Sequence, residues 1–144
     1  DETESVYIAR AAQKRVMSIG LMPGSRLPAH CTSMGRVLLA ALPREEADLL
    51  VRRSDLTPRT KFSILDPVLT LCRIDAARED GYAFVDQEVE TGLRSIAVPL
   101  NDRKGLTVAA LNIGLSSAGW TPKQTIETYL PHLLGVQSAL GRVL

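Results

Sequence analysis

The sequence predicts one α+β domain in which helices pack on an antiparallel sheet. Apolar residues follow a helical period in residues 34–80 and alternate with polar residues in residues 82–115, as strands do. Short turn-forming segments join the alternating stretches, whereas parallel strands need long crossover connections. The 144 residues are enough for one core and too few for two comfortable domains.

Two short strands and a loop are predicted at the start of the chain. The stretches VYIAR (residues 6–10) and VMSIGL (residues 16–21) favour strands because they are rich in β-prone side chains. The segment PGSRLP (residues 23–28) predicts a loop, since two prolines and a glycine interrupt regular structure.

Two consecutive helices are predicted next. Apolar residues at helical spacing place the first over residues 34–42, with Thr32 or Ser33 as its N-cap and Pro43 at its end. The second covers residues 44–53, where acidic residues at the start and arginines at the end suit the helix dipole.

Capping residues mark two further helices. The third helix follows Asp66 as N-cap, has Pro67 at its first position and ends before Gly81. A long final helix begins after Thr121, which can form a capping box with Gln124, and a proline inside this helix predicts a kink.

Strands are predicted between these two helices, over residues 82–88, 94–100 and 106–115. The segment NDRKG joins the last two strands as a hairpin loop, in which Gly105 takes a positive φ.

The predicted hairpin has one apolar face and one face of small residues. A four-residue loop pairs Leu100 with Thr107 and Ser95 with Asn112. The apolar face then carries Ile96, Val98, Leu100, Leu111 and Ile113. The other face carries Ser95, Ala97, Ala110, Asn112 and Gly114. This second face either leaves room for a small molecule or packs closely against a helix. Arg94 points to the opposite face and is therefore expected to serve structure and not to bind the ligand.

Composition and charge argue against several classes of protein. The net charge is +1 and the 17 basic residues are interspersed with 16 acidic ones, so no basic face for nucleic acid is expected. No run approaches the roughly 18 to 20 apolar residues that span a membrane. Two cysteines without CxxC spacing favour reduced thiols in a cytoplasm. The opening DETESV has neither an initiator Met nor signal-peptide features, which predicts a fragment of a longer protein.

The stretch CTSMG, residues 31–35, invites a catalytic or metal-binding interpretation. It resembles a nucleophile elbow, but Cys31 occupies the place where that motif needs its first glycine. His30 is too near Ser33 in sequence to be a convincing base, and the only other histidine is His132. A metal site at His30 and Cys31 lacks further ligands at a recognisable spacing. A surface histidine and a buried cysteine are the simpler interpretation.

Backbone chemistry offers another role for the same stretch. The N–H groups of Ser33, Met34 and Gly35 lie in the first turn of the predicted helix, where the dipole favours an anion. A carboxylate is one candidate guest. Simple capping by Thr32 or Ser33, with nothing bound, is the alternative.

Three motifs follow one another along the chain: LPAHCTSMGRVLLAALP, GYAFVDQEVETGLRSIAVPL and VAALNIGL. In this order they resemble the C-terminal effector-binding domain of IclR-type bacterial transcription regulators, and the resemblance covers nearly the whole chain. The segments CTSMGRVLLA and GLRSIAVP are most similar to regulators of aromatic-acid catabolism, which respond to protocatechuate, 4-hydroxybenzoate or β-ketoadipate.

The resemblance implies a GAF-like α+β domain over residues 1–144 that binds a small organic-acid effector. The implied effector pocket consists of Val16, Ile19, Ser33, Met34, Gly35, Val85, Ser95, Asn112 and Gly114. Val85 stands where some relatives that bind small keto acids have a polar residue, which favours a more apolar or larger pocket and an aromatic effector. The resemblance also implies a cytoplasmic homodimer or homotetramer that binds DNA only through an N-terminal winged helix-turn-helix domain absent from this chain.

Two rival functions remain as hypotheses. One is an oligomerisation module that binds no small molecule, and the apolar C-terminal segment LPHLLGVQSALGRVL predicts self-association in either case. The other is a hydrolase or thiol enzyme at Ser33 or Cys31, which the missing glycine and base disfavour. We therefore expect no catalytic residues, no metal and no cofactor.

Overall fold

The computed structural model describes residues 2–11 and 21–144, and within these ranges it confirms the α+β class. The elements in chain order are β1 (Glu4–Val6), β2 (Arg26–Pro28), α1 (Ser33–Ala40), α2 (Arg44–Arg53), α3 (Pro67–Asp80), β3 (Ala83–Asp86), β4 (Leu93–Asn101), β5 (Thr107–Ser116) and α4 (Pro122–Leu140). β1 and β2 form an antiparallel pair, and β3, β4 and β5 form a separate antiparallel sheet in that order.

The three-stranded sheet separates two apolar cores. On one face, Ile96 and Val98 of β4 pack with Leu133 of α4. On the other face, Ala83 and Ala97 pack with residues of α1, α2 and α3. The predicted assignment of apolar and small side chains to opposite faces of the hairpin is therefore confirmed.

The register of the β4–β5 hairpin differs from the predicted one by two residues. The observed pairs are Ser95–Gly114 and Leu100–Ala109, in place of the predicted Ser95–Asn112 and Leu100–Thr107. The connecting loop has five residues, 102–106, and Val108 has no partner on β4 because of a bulge. The fifth loop residue and the bulge each shift the pairing by one residue. Because the two shifts together equal one side-chain period, every side chain keeps its predicted face.

The first sheet departs most from the prediction. The predicted strand over residues 6–10 is wrong beyond its first residue, because β1 covers Glu4–Val6. The predicted loop over residues 23–28 contains β2, whose only proline occupies the end of the strand, where proline is tolerated. The strand predicted over residues 16–21 lies outside the described residues except for its last position.

The predicted N-caps of three helices are confirmed. Thr32 accepts a hydrogen bond as N-cap of α1, although this helix ends at Ala40, two residues earlier than predicted. Asp66 caps α3, and Thr121 forms the predicted capping box at the start of α4. α4 continues as one helix through Pro131.

Two other properties can be compared with the expectations from composition. Cys31 and Cys72 are both free thiols, the first buried and the second exposed. In the two described ranges, no helix is both long enough and apolar enough to cross a membrane.

Candidate functional site

A small cavity lies where α1 begins, bounded by the β1–β2 pair and by the three-stranded sheet. Its volume is about 30 Å³, enough for roughly two water molecules. The described residues that line it are Tyr7, Leu27, Thr32, Ser33, Met34, Val85, Val89, Leu93, Ser95, Asn112 and Gly114. Six of the nine residues predicted from the sequence are therefore brought together here.

The floor of the cavity is one row of residues across the sheet. Val85, Ser95 and Gly114 lie opposite one another on β3, β4 and β5. Asn112 lies two residues from Gly114 on the same strand and therefore shares its face. A Cβ on Gly114 would meet only a side-chain atom of Leu93 at 3.7 Å, so this glycine adds space to the cavity and relieves no clash.

The first turn of α1 forms another wall. Ser33 and Met34 line the cavity, and Thr32 precedes them as N-cap. The Thr32 hydroxyl accepts a hydrogen bond from Gly35 N at 3.2 Å and donates one to Pro28 O at 2.9 Å. Capping by Thr32 is thus confirmed, and it uses the Gly35 N–H, one of the three donors expected to face an anion. The N–H groups of Ser33 and Met34 remain as first-turn donors.

Gly35 does not line the cavity, and close packing explains why a glycine stands there. A Cβ at this position would lie 2.2 Å from the carbonyl oxygen of Ala29 and 2.3 Å from its Cα. Any other residue would push α1 away from the segment that leads into it. The contribution of Gly35 to the site is the close approach of these two backbones.

Tyr7 is a polar member of the site that the sequence analysis missed. Burial raises the pKa of its phenol, while a hydrogen bond with the Asn112 side chain and the charge of Arg10 oppose that shift. The phenol is therefore neutral at neutral pH and forms a polar pair with Asn112. The sequence predicts a strand over residues 6–10, but β1 ends at Val6. The predicted strand therefore does not indicate that Tyr7 faces the small residues of β5.

Other lining residues differ in how far the sequence could have revealed them. Leu93 lies two residues before Ser95 on β4, so strand alternation alone places it on the same face. Val89 lies in a loop, and Leu27 lies in β2, where the prolines of residues 23–28 predict a loop instead. Neither residue belongs to a stretch of periodic apolar residues that would have indicated its position. The predicted site residues Val16 and Ile19 lie outside the described residues.

A buried ion pair fixes the loop that carries Val89. Arg36 donates from Nη1 to Glu88 Oε1 at 2.8 Å and from Nη2 to Glu88 Oε2 at 2.6 Å, and the two side chains are 2% and 7% exposed. The Arg36 Nε also donates to the carbonyl oxygen of His30 at 2.8 Å. Two parallel bonds of this kind restrict geometry strongly, so α1 and the loop are held in one relative position.

Arg94 serves structure, as predicted. Its Nε donates to Asp86 Oδ1 at 2.7 Å and its Nη1 donates to the carbonyl oxygen of Trp120 at 2.6 Å. The arginine thereby connects β4 with the start of α4, on the face opposite the cavity.

The groups proposed for catalysis are poorly arranged for it. Burial raises the pKa of the Cys31 thiol to about 11, so the thiolate is scarce at neutral pH. His30 is buried, not at the surface as predicted. Neither described histidine lines the cavity beside Ser33. Within the described ranges, no group of three or more His, Cys, Asp or Glu side chains could hold a metal ion.

Comparison with known sequences identifies one family. Residues 1–140 match the family described as bacterial transcriptional regulator IclR C-terminal. The Pca regulon regulatory protein of Pseudomonas putida is 43% identical over 136 residues, which are 94% of this chain and 47% of that protein. The p-hydroxybenzoate hydroxylase transcriptional activator of Acinetobacter baylyi is 37% identical over 145 residues, 97% of this chain and 54% of that protein. The chain thus spans about half the length of these curated relatives.

Solved structures show the same fold. A double mutant of the PobR inducer-binding domain from Acinetobacter, in complex with 3-hydroxybenzoic acid, has a TM-score of 0.90 and 36% identity over 100% of this chain and 85% of that chain. The C-terminal domain of Escherichia coli KdgR has a TM-score of 0.85 and 30% identity over 99% of this chain and 81% of that chain. With the family match over residues 1–140, these similarities show that the chain belongs to the C-terminal domain family of bacterial IclR transcriptional regulators.

Proposed function

We propose that this domain senses a small organic acid for a transcription regulator, and that a hydroxylated aromatic acid binds in the cavity at the start of α1. The observation that carries the proposal is the convergence of apolar side chains with a few polar groups in one cavity, as in most small-molecule sites. The 3-hydroxybenzoic acid in the related PobR domain supports this choice of ligand class.

The lining residues suit a flat ring with polar ends. Met34 and Val85 offer apolar contacts to the faces of a ring. The Tyr7–Asn112 pair can bind a hydroxyl group, and the first-turn N–H groups of Ser33 and Met34 suit a carboxylate. We therefore assign the carboxylate to the α1 end of the cavity and the hydroxyl to the Asn112 end.

Binding requires the cavity to widen. A volume of about 30 Å³ is about a tenth of the lower end of the range for small-molecule sites, about 300 Å³, so we expect lining side chains to move when the ligand enters. Met34 has an unbranched, flexible side chain, and Val89 lies on a loop, so these two residues are the best candidates for that movement. We expect the bound form to differ from this one mainly at these positions.

Titration calorimetry with 4-hydroxybenzoate and protocatechuate tests the assignment. Asn112→Leu removes the amide and fills part of the cavity, so the affinity for the better ligand should fall about tenfold or more, which corresponds to roughly 1.4 kcal/mol. Asn101→Leu makes the same change at an exposed position away from the cavity and should leave the affinity unchanged. Equal affinity in Asn112→Leu and the unmodified domain would place the ligand elsewhere.

The remaining parts of the proposal concern assembly and DNA. We propose that the domain forms homodimers or homotetramers in the cytoplasm and that DNA binding resides in another domain of the full-length regulator. Apolar side chains near the end of α4 support self-association, since Leu134 and Val136 are 43% and 48% exposed. Light scattering at high micromolar concentration tests the first point, and fluorescence anisotropy with random duplex DNA at low salt tests the second.

A further inference from the structure

A second and larger cavity adjoins the segment that leads into α1. Its volume is about 330 Å³, within the range of small-molecule sites, about 300 to 1,000 Å³. Among the described residues it shares no lining residue with the first cavity. It is lined by Thr3, Glu4, Pro28, His30, Ser54, Asp55, Thr57 and Arg59.

One wall of this cavity is a buried histidine with an unused hydrogen-bonding atom. His30 is 4% exposed, and its Nδ1 has no hydrogen-bond partner among the described residues. Burial, with the charges of Arg36 and Arg59, lowers the pKa of the imidazole, so at neutral pH the ring has one donor and one acceptor nitrogen. Buried polar atoms without partners are rare in folded proteins. Because Nδ1 has almost no accessible surface, the ring must turn before a ligand in the cavity can bond this atom.

Arg59 supplies a positive charge to the same cavity. Its guanidinium lies close enough to lower the pKa values of both His30 and Asp55. It forms no salt bridge with another residue in the described part of the chain. Glu4, in contrast, is engaged by Arg26 at 2.7 Å. Because a guanidinium binds carboxylates through two parallel hydrogen bonds, Arg59 is suited to the carboxylate of a guest.

Two hydroxyl groups and a carboxylate in the cavity can only accept hydrogen bonds from a ligand. The Ser54 hydroxyl donates its proton to Leu50 O at 2.8 Å, and the Thr57 hydroxyl donates its proton to Asp55 Oδ1 at 2.5 Å. Both hydroxyl oxygens therefore keep lone pairs but no free proton. Bonds from the Thr57 hydroxyl and N–H lower the pKa of Asp55, so this carboxylate is ionised and is also an acceptor. A guest must bring its own hydrogen-bond donors to this part of the cavity.

We propose that the second cavity is a separate ligand site for a small carboxylic acid that also carries a hydrogen-bond donor, either a hydroxyl or an ammonium group. The carboxylate binds Arg59 and the imidazole of His30. The donor group binds Asp55 and the oxygens of Ser54 and Thr57.

The test follows the ring signals of His30 by NMR in the Asn112→Leu variant, which weakens binding in the first cavity. The probes are 4-hydroxybenzoate, 4-(aminomethyl)benzoate and benzoate, which differ in having a hydroxyl donor, an ammonium donor or neither. We expect a saturable shift of the His30 signals with at least one donor-bearing acid and binding of benzoate at least about tenfold weaker. Comparison of the two donor-bearing acids shows which donor the site prefers.

Variants of two exposed arginines complete the experiment. Arg59→Gln should weaken the binding seen at His30 by about tenfold or more, and Arg103→Gln, in the hairpin loop, should leave it unchanged. Unchanged His30 signals with both donor-bearing acids up to about 10 mM, ten times a millimolar Kd, overturn the proposal. Equally tight binding of benzoate, or an Arg59→Gln variant with undiminished affinity, overturns it as well. Heat of binding that is lost in Asn112→Leu, without any response of His30, supports the first cavity and refutes the second.

Discussion

Replacing Glu88 by Gln is expected to destabilise the domain strongly. The substitution keeps the shape of the side chain but removes the negative charge that faces Arg36. That guanidinium is 2% exposed, and two of its three hydrogen bonds go to the Glu88 carboxylate. The variant therefore leaves a positive charge in the interior with no opposite charge beside it.

The magnitude follows from the burial of both partners. Breaking a buried ion pair on one side costs about 3 to 5 kcal/mol, because the remaining charge stays desolvated. With a urea m-value of about 2 kcal/mol per molar for a domain of this size, the unfolding midpoint should fall by roughly 2 M. Arg36→Met should show a loss of similar size, and the double variant should recover part of it, since no unpaired charge then remains in the interior.

Urea unfolding followed by circular dichroism measures these differences. Asp48→Asn is the control, because it breaks an exposed pair with Arg52 on α2 and should hardly move the midpoint. Exposed ion pairs contribute up to about 1 kcal/mol to the free energy of unfolding. If Glu88→Gln lowers that free energy by less than this amount, the reasoning is refuted. Additive losses in the double variant would show that the two side chains do not stabilise the fold as a pair.

Three further predictions concern single side chains. Gly135→Ala, in open space on α4, should stabilise the domain by roughly 1 kcal/mol through helix propensity. Gly35→Ala should instead unfold the domain, or destabilise it by several times that amount, because its Cβ would clash with the backbone of Ala29. Thiol labelling at pH 8 should be fast at exposed Cys72 and slow at Cys31, whose pKa burial raises to about 11, so Cys72→Ser should abolish the fast phase. Burial lowers the pKa of His30, so the unfolded chain binds this proton more readily and stability should fall as pH drops below about 6.5. Urea midpoints at several pH values should decline less steeply in His30→Gln.

Local chemistry made part of this structure predictable. Asp66 and Pro67 at the start of α3, and Gly81 at its end, act within one turn of the chain and need no tertiary context. Strand alternation depends only on sequence spacing, so it placed Ser95 and Asn112 on one face even though their predicted pairing was wrong.

Features that depend on distant segments were not predictable in this way. The position of β2 is set by pairing with β1, and the cavity beside His30 is lined by residues of the loop that follows α2. The hairpin register depends on a bulge at Val108, for which the sequence carries no turn signal. Tyr7 lines the first cavity directly after β1, which ends at Val6, whereas the sequence predicts a strand over residues 6–10. In each case the information lies in contacts between segments far apart in the chain.

The buried ion pair also bears on how the two cavities relate. Arg36 binds the backbone of His30, which lines the second cavity, and the side chain of Glu88, which precedes Val89 in the wall of the first. A movement of Val89 that widens the first cavity therefore acts on a loop anchored to the segment carrying His30. Coupling between two ligand sites is reciprocal in free energy, so if a ligand in one cavity changes the affinity of the other, the second ligand changes the affinity of the first by the same factor. With Glu88→Gln this connection is weakened, so any coupling between the cavities should diminish together with the stability of the fold.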